Sequence, residues 1–339
     1  MAMTLRWNRI LKEPNESNVK ILGYHNIAKG NELRFRPELF IHPHTFEERI
    51  QYLLENHYTL LPLSRAVQCL KCGRIPPRAL VITFDDGWYG IYRYARPILE
   101  KYRIPYTVYI YSYFSRAQDP VYDVLLDYLY YAGRRRGEAV SYLSSCTQDH
   151  EVESHDLHLQ YKKRTETVLS TCPPPELRRI ARKLSEILEV PWEEIERERR
   201  FHLMSAPEVE TMAKNGADIQ LHTHRHRWPR DRDSALREIQ ENRTFLEPLV
   251  GRRLSHFCYP GGDWSRDRFP FLQEAGIQSA VTCDAGSNGP STHVLALKRF
   301  LDGEHISSIE FEAEITGFSE VLRRCRSRLR PASAVPSPA

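Results

Sequence analysis

The stretch Ala79-Leu80-Val81-Ile82-Thr83-Phe84-Asp85-Asp86-Gly87 decides the fold: five of its first six residues are apolar, and two acids and a glycine stop the run. A segment so short and so apolar reads as a strand buried on both faces and ended by a tight turn. Strands of that kind belong to parallel sheets covered by helices, and the flanking sequence alternates accordingly. Upstream, Lys20 to His25 reads as a first strand, and Thr45 with Glu48 forms a capping-box signature ahead of a helical face of Phe46, Ile50, Leu53 and Leu54. Downstream, Ile91, Tyr94, Ala95, Ile98, Leu99 and Tyr102 predict a helix that Pro97 kinks or delays, and Tyr106 to Tyr111 the next strand.

From about residue 115 to 201 the pattern changes to Tyr-rich and charged helical segments, with Pro173-Pro174-Pro175 between them, and we expect a helical insertion. Alternation resumes with a second capping box at Ser205 and Glu208, a strand from Ala217 to His222 and a helix over Leu236, Ile239 and Leu246. Strands follow near Ser255 to Tyr259, Ile277 to Thr282 and Val294 to Phe300. Right-handed βα connections curl such units into an α/β barrel with the strand C-termini at one rim. No internal repeat is present. The expected layout is an N-terminal extension over 1–18, a barrel over 19–322 that includes the insertion, and a basic, disordered Pro/Ser/Ala-rich tail over 323–339.

The chain has 339 residues, is 41% apolar and 27% charged, and so lies near the average for folded domains. Its net charge of +4 comes from five arginines after Leu322 with no acid among them, so the body is nearly neutral. That excludes a nucleic-acid-binding surface spread over the fold, while the Arg-rich tail is suited to peripheral contact with anionic membrane. With no apolar run of membrane-spanning length and no leader-like start, a cytoplasmic protein is expected, membrane-associated at most through that tail. The seven cysteines are read as reduced, and Cys69 and Cys72 as structural, on a helix from Ser64 stopped by Gly73.

The chemistry concentrates in two clusters. Asp85 and Asp86 end a strand, where consecutive side chains in extended backbone point to opposite sides, so one carboxylate can hold a metal while its neighbour handles a proton. His222-Thr223-His224-Arg225-His226 follows another strand. Its outer imidazoles share a face in either a helix or a strand, whereas His224 joins them only if the segment is extended. Two His and one Asp suit an open Zn²⁺ site, with Fe, Co, Ni and Mn as alternatives.

Thr83-Phe84-Asp85-Asp86-Gly87 and His222-Thr-His-Arg-His226 resemble the first two motifs of the NodB-type polysaccharide deacetylases, carbohydrate esterase family 4. Gly23-Tyr24-His25, Phe257-Cys-Tyr-Pro-Gly-Gly262, Ala280-Val-Thr282 and Leu297-Lys-Arg299 agree in order and spacing, so the resemblance spans about 19 to 115 and 200 to 302. It implies a distorted (β/α) barrel and metal-dependent hydrolysis of an N-acetyl group on an amino sugar. By position it makes Asp85 the general base, Asp86, His222 and His226 the metal ligands, and Tyr259, Pro260 and Gly261 the substrate and oxyanion segment, with the Gly261 amide as donor. The chain departs from the pattern twice. Cys258 stands where the family often has an Arg bracing the catalytic Asp, and the late Leu-x-His motif that supplies a general acid has no match, leaving His25, His44, His293 and His305 to choose among. Tyr259 and Trp264 are read either as sugar-pocket walls or as core. Alternatives to an N-acetyl amino-sugar hydrolase are a deacylase of a small-molecule amide and a non-catalytic carbohydrate-binding relative.

Overall fold

The computed structural model describes residues 18–147 and 155–329. The expected N-terminal extension, apart from Asn18, and the tail beyond Leu329 lie outside the described residues. Ten strands are present among the described residues: β1 Lys20–Tyr24, β2 Asn26–Ile27, β3 Phe40–Ile41, β4 Thr59–Leu60, β5 Ala79–Phe84, β6 Tyr106–Ile110, β7 Asp218–Leu221, β8 His256–Cys258, β9 Ser279–Val281 and β10 Phe300–Leu301. Strands β2 and β3 form a separate pair. The others make one sheet in the order β10-β1-β5-β6-β7-β8-β9, with β4 beside the start of β5, and every pairing is parallel. All six residues of β5 are buried, as its composition requires.

The strand expected over 294–300 is divided between two neighbours. Leu297 exchanges hydrogen bonds with β9, its amide to Ala280 O at 2.9 Å and its carbonyl from the Thr282 amide at 2.8 Å, whereas Phe300 pairs with Leu22 of β1. One short segment thereby ties the last strand to the first and closes the sheet into a distorted barrel. Inward-facing Val19, Ile21, Val81, Tyr109, Val281 and Leu297 fill it, and Leu63, Ala66, Val67 and Leu70 of a helix join the same apolar cluster. The opposite strand face, with Leu22, Tyr24, Leu80, Ile82 and Phe84, packs against the surrounding helices.

Helix α1 is Pro43–Glu55 and starts before the expected Thr45 cap. His42 caps it instead, its Nδ1 accepting the His44 amide at 3.1 Å, and Thr45 Oγ1 donates to Glu304. Proline accounts for the shift: Pro43 has no N–H to satisfy and a φ already suited to the first helical position. Helix α2, Leu63–Cys72, ends at left-handed Gly73 (φ 68°), with Cys69 buried, Cys72 exposed and all seven cysteines free. A π-helical turn at Ile91–Ala95 leads into α3, Arg96–Lys101, which carries Pro97 in its first turn.

Residues 115–201 contain helices and no strand among those described. The series runs α4 Ser112–Ala117, α5 Tyr122–Ala132, α6 Arg136–Cys146, α7 Leu157–Thr171, α8 Pro174–Ile187 and α9 Trp192–Glu198. Pro174 and Pro175 occupy the first turn of α8, whose Leu177, Ile180, Ala181 and Leu184 form its buried stripe. The capping box at Ser205 and Glu208 is formed, opening α10, Ala206–Lys214. Helices α11 Arg232–Val250, α12 Phe269–Glu274, α13 Ser308–Thr316 and α14 Phe318–Leu329 complete the chain. The last one corrects the expected start of the disordered tail, because residues 323–329 are helical. Arg and Leu are good helix formers, and Arg323 Nη2 reaches Glu314 Oε2 of α13 at 2.9 Å. None of the described helices is long and apolar enough to cross a membrane.

Candidate active site

Strand register assembles the site at the C-terminal rim. Tyr24 pairs with Phe84, Ile110 with Leu221, and Leu221 with Phe257, so His25 and Asp85, Tyr111 and His222, and His222 and Cys258 become neighbours just beyond the last paired residues. Asp85 continues its strand, donating its amide to Tyr24 O at 2.8 Å. Asp86 does not. Its φ of 69° is left-handed, a conformation that Asp tolerates better than most residues, and Gly87 follows at 84°. The two carboxylates are therefore separated by a turn, not by the strand alternation expected from sequence.

Asp85 is 2% exposed and lies in the grip of Arg299, which is 0% exposed. Nη1 and Nη2 of the guanidinium each donate to one carboxylate oxygen at 2.7 Å. The same guanidinium reaches Thr83 Oγ1 and Thr282 O, and its Nη2 lies 3.2 Å from Cys258 Sγ. Gly23 leaves the space: a Cβ there would stand 2.5 Å from Leu301 Cδ2 and 3.3 Å from Arg299 Nη1. Burial alone would raise the Asp85 carboxyl, but Arg299 outweighs it and holds the group below its ordinary value. Arg299 thus braces this acid, the part that the sequence resemblance implied for an arginine at position 258, where Cys258 instead lies against the same guanidinium. Its signal in the sequence was an Arg between Leu297 and Phe300, since a charge inside an apolar strand demands a partner.

Asp86 faces the other way. Trp88 Nε1 donates to Oδ2 at 2.8 Å, while Oδ1, buried and without a hydrogen bond, lies 3.3 Å from His222 Nε2 and 3.4 Å from His226 Nε2. A tetrahedral ion with bonds of about 2.1 Å holds neighbouring donors roughly 3.4 Å apart, so this trio fits a divalent cation. His222 Nδ1 lies 2.8 Å from Cys258 O, which assigns its proton to that nitrogen and leaves Nε2 as a donor to metal. His226, its side chain 40% exposed, packs against Tyr111 with ring centroids 5.0 Å apart and planes tilted by 34°, and desolvation of the ring pushes its pKa down to about 4, toward the neutral form that a ligand needs. Asp85, His222 and Cys258 also present donor atoms within 4.8 Å of one another. That trio is poorly suited to a cation, because Arg299 occupies both Asp85 oxygens and burial pushes the Cys258 thiol up to about 11.

The remaining residues sort by position. His224, an open choice in the sequence, is turned from Asp86, with Nδ1 2.8 Å from Ser112 Oγ. Tyr259 is 1% exposed, packs on Trp228 and Phe257, and donates its hydroxyl to Leu295 O, so its ring belongs to the core and not to a sugar pocket. Pro260 is buried, and Gly261 follows at φ 60° with no atom within 4 Å of where a Cβ would stand, leaving open space. Trp264 stacks on Phe269 and donates to Asp284. Of the four unassigned histidines only His25 enters the site: Nε2 is 4.0 Å from Asp85 Oδ2, and its buried Nδ1 has no hydrogen-bond partner. His44 is exposed beside Glu48, His293 stacks on Phe269, and His305 lies against Pro37 O.

A parallel barrel carries two acids and two imidazoles at its rim, a donor set of the kind that can hold a divalent cation, and the chain belongs to the polysaccharide deacetylase family. The model of that family matches residues 73–189 and 192–280. The poly-beta-1,6-N-acetyl-D-glucosamine N-deacetylase of Staphylococcus aureus (strain MSSA476) is 32% identical over 105 residues, covering 28% of this chain and 36% of the relative. The YxkH protein of Bacillus subtilis (strain 168) is 31% identical over 101 residues, 30% of this chain and 34% of its own length. The chain therefore spans about a third of the curated relatives it matches. Among solved structures, the Streptococcus pyogenes deacetylase PplD aligns with a TM-score of 0.57 at 15% identity, over 89% of this chain and 99% of that one. IcaB from Ammonifex degensii aligns at 0.56 and 17%, over 88% and 97%. These structural likenesses show a shared fold.

Proposed function

We propose that the protein is a metal-dependent hydrolase that removes the N-acetyl group from an N-acetylated amino sugar. The observation that carries this reading is the division of labour between adjacent acids: Asp85 is tied to Arg299, while Asp86 offers an unbonded buried oxygen to two imidazoles. Asp86, His222 and His226 would hold the cation, Zn²⁺ ahead of Co, Ni, Fe or Mn. A divalent ion bound there would supply Lewis acidity toward the amide carbonyl and lower the pKa of water.

The chain's own groups do the rest. Asp85 takes a proton from the attacking water as general base, and Arg299 keeps that carboxylate ionised and in one orientation. The Gly261 amide donates to the oxyanion that develops on the carbonyl. His25, beside Asp85, delivers a proton to the sugar nitrogen as the amine departs. Seven free cysteines suit a reducing cytoplasm, so a cytosolic precursor such as a lipid-linked or soluble oligosaccharide is the proposed substrate, with the basic C-terminal segment resting on anionic membrane.

Purified protein should release acetate from N-acetylglucosamine oligomers, lose that activity on chelation and regain it with Zn²⁺ or Co²⁺. Metal-replete protein inactive on acetylated oligomers, lipid-linked sugars and small amides alike would overturn the proposal. His25→Gln should slow turnover roughly 10²-fold on sugar amides, in keeping with general acid catalysis, and far less on an activated anilide whose amine leaves without a proton. Equal losses on the two substrates would remove His25 from this role.

A further inference from the structure

The loop that presents the two imidazoles is held in a costly conformation. Thr223 and His226 adopt φ values of 66° and 56°, a left-handed region that non-glycine residues occupy only when their surroundings enforce it. The enforcing surface is one face of α11. Asn242, 0% exposed, accepts the His222 amide on Oδ1 at 3.0 Å. Its Nδ2 donates to Ile110 O at 3.0 Å and to Ser112 Oγ at 2.9 Å, and that hydroxyl also meets His224 Nδ1. One helical turn earlier, Glu238 is 6% exposed and accepts the amides of His224 at 2.9 Å and Arg225 at 2.7 Å, as well as the Arg225 guanidinium at 2.8 Å. Two side chains four residues apart on a rigid helix thus take three backbone amides of a five-residue loop.

We infer that Asn242 and Glu238 are positioning residues for the metal site: by holding the backbone of residues 222–225 they aim His222 Nε2 and His226 Nε2 at Asp86. This rests on the proposed metal site but is separable from it. Neither residue touches Asp86 or the reacting groups, so each acts through the loop alone. Buried groups with every hydrogen bond satisfied specify one geometry, and removing one leaves the partner amide unpaired and the strained turn free to relax.

The test is titration of the purified full chain, stripped of metal, with Co²⁺, reading both the dissociation constant and the visible d–d absorption that reports coordination geometry. Glu238→Gln and Asn242→Ala should each bind Co²⁺ roughly 10–100-fold more weakly, with an altered band shape. Leu246→Ala, an apolar truncation one turn further along α11, should lower Tm at least as much yet keep the wild-type affinity and spectrum. Wild-type binding by both positioning variants, or an equal loss in Leu246→Ala, overturns the inference. Wild-type protein that takes up no Co²⁺ overturns the metal-site reading and this inference together.

Discussion

Asp85→Asn should leave metal binding intact and cut kcat by roughly 10²–10⁴-fold, the range over which a positioned general base contributes. The reason lies in the turn after β5. Asp86 and the imidazoles of His222 and His226 form a donor set of their own, and Asp85 lies beside it with both oxygens bonded to Arg299. An amide at position 85 preserves shape but accepts no proton, and it leaves Arg299 without a counter-charge, so a lower Tm should accompany the loss. Asp86→Asn makes the contrasting case: Co²⁺ or Zn²⁺ affinity itself should collapse. Kinetics on acetylated oligomers, with metal content measured on the same samples, separates the two. Full activity in Asp85→Asn would take the base assignment away, and loss of metal from it would mean that the adjacent acids share one task.

Arg299→Met should destabilise the fold by about 3–5 kcal/mol and abolish activity, because removing one partner of a buried ion pair strands the other charge. The effect should depend on pH in a definite direction. In the wild type, burial would raise the Asp85 carboxyl but Arg299 lowers it below the ordinary value, so the pair contributes stability above the unfolded pKa of about 3.9 and loses it as pH falls through the folded value. Without the guanidinium, burial dominates and the sign reverses: the ionised carboxylate penalises folding at neutral pH, and protonation relieves the penalty. Denaturant melts at pH 7 and pH 4.5 should therefore show a wide gap between wild type and variant that narrows in acid. A gap independent of pH would mean that Asp85 is not held ionised by Arg299. Arg299→Lys should be a poor rescue, since an ammonium cannot span both carboxylate oxygens, Thr83 and Thr282 at once.

Much of the fold was legible locally. Strands β1, β5, β6, β7, β8 and β9 fall within a residue or two of the apolar runs that announced them, and the insertion is helical where described. The misjudged details have local causes too: Pro43 outcompetes Thr45 as a helix start, and the Arg-rich segment after Leu322 continues a helix through Leu329. Asp86, His222 and His226, singled out by their placement after apolar strands, do come together.

What the chain's order of residues determined by itself is the set of positions at which strands end, since hydrophobic period and turn chemistry act over a handful of neighbours. Which of those positions face one another depends on register between strands as far apart in the chain as those that pair Leu22 with Phe300, and no local pattern encodes it. Only the closed barrel brings Arg299 under Asp85, selects His25 among four histidines, turns His224 toward Ser112 and buries Tyr259 in the core. The closure that makes those choices is one short segment, Leu297 to Leu301, bonded first to β9 and then to β1.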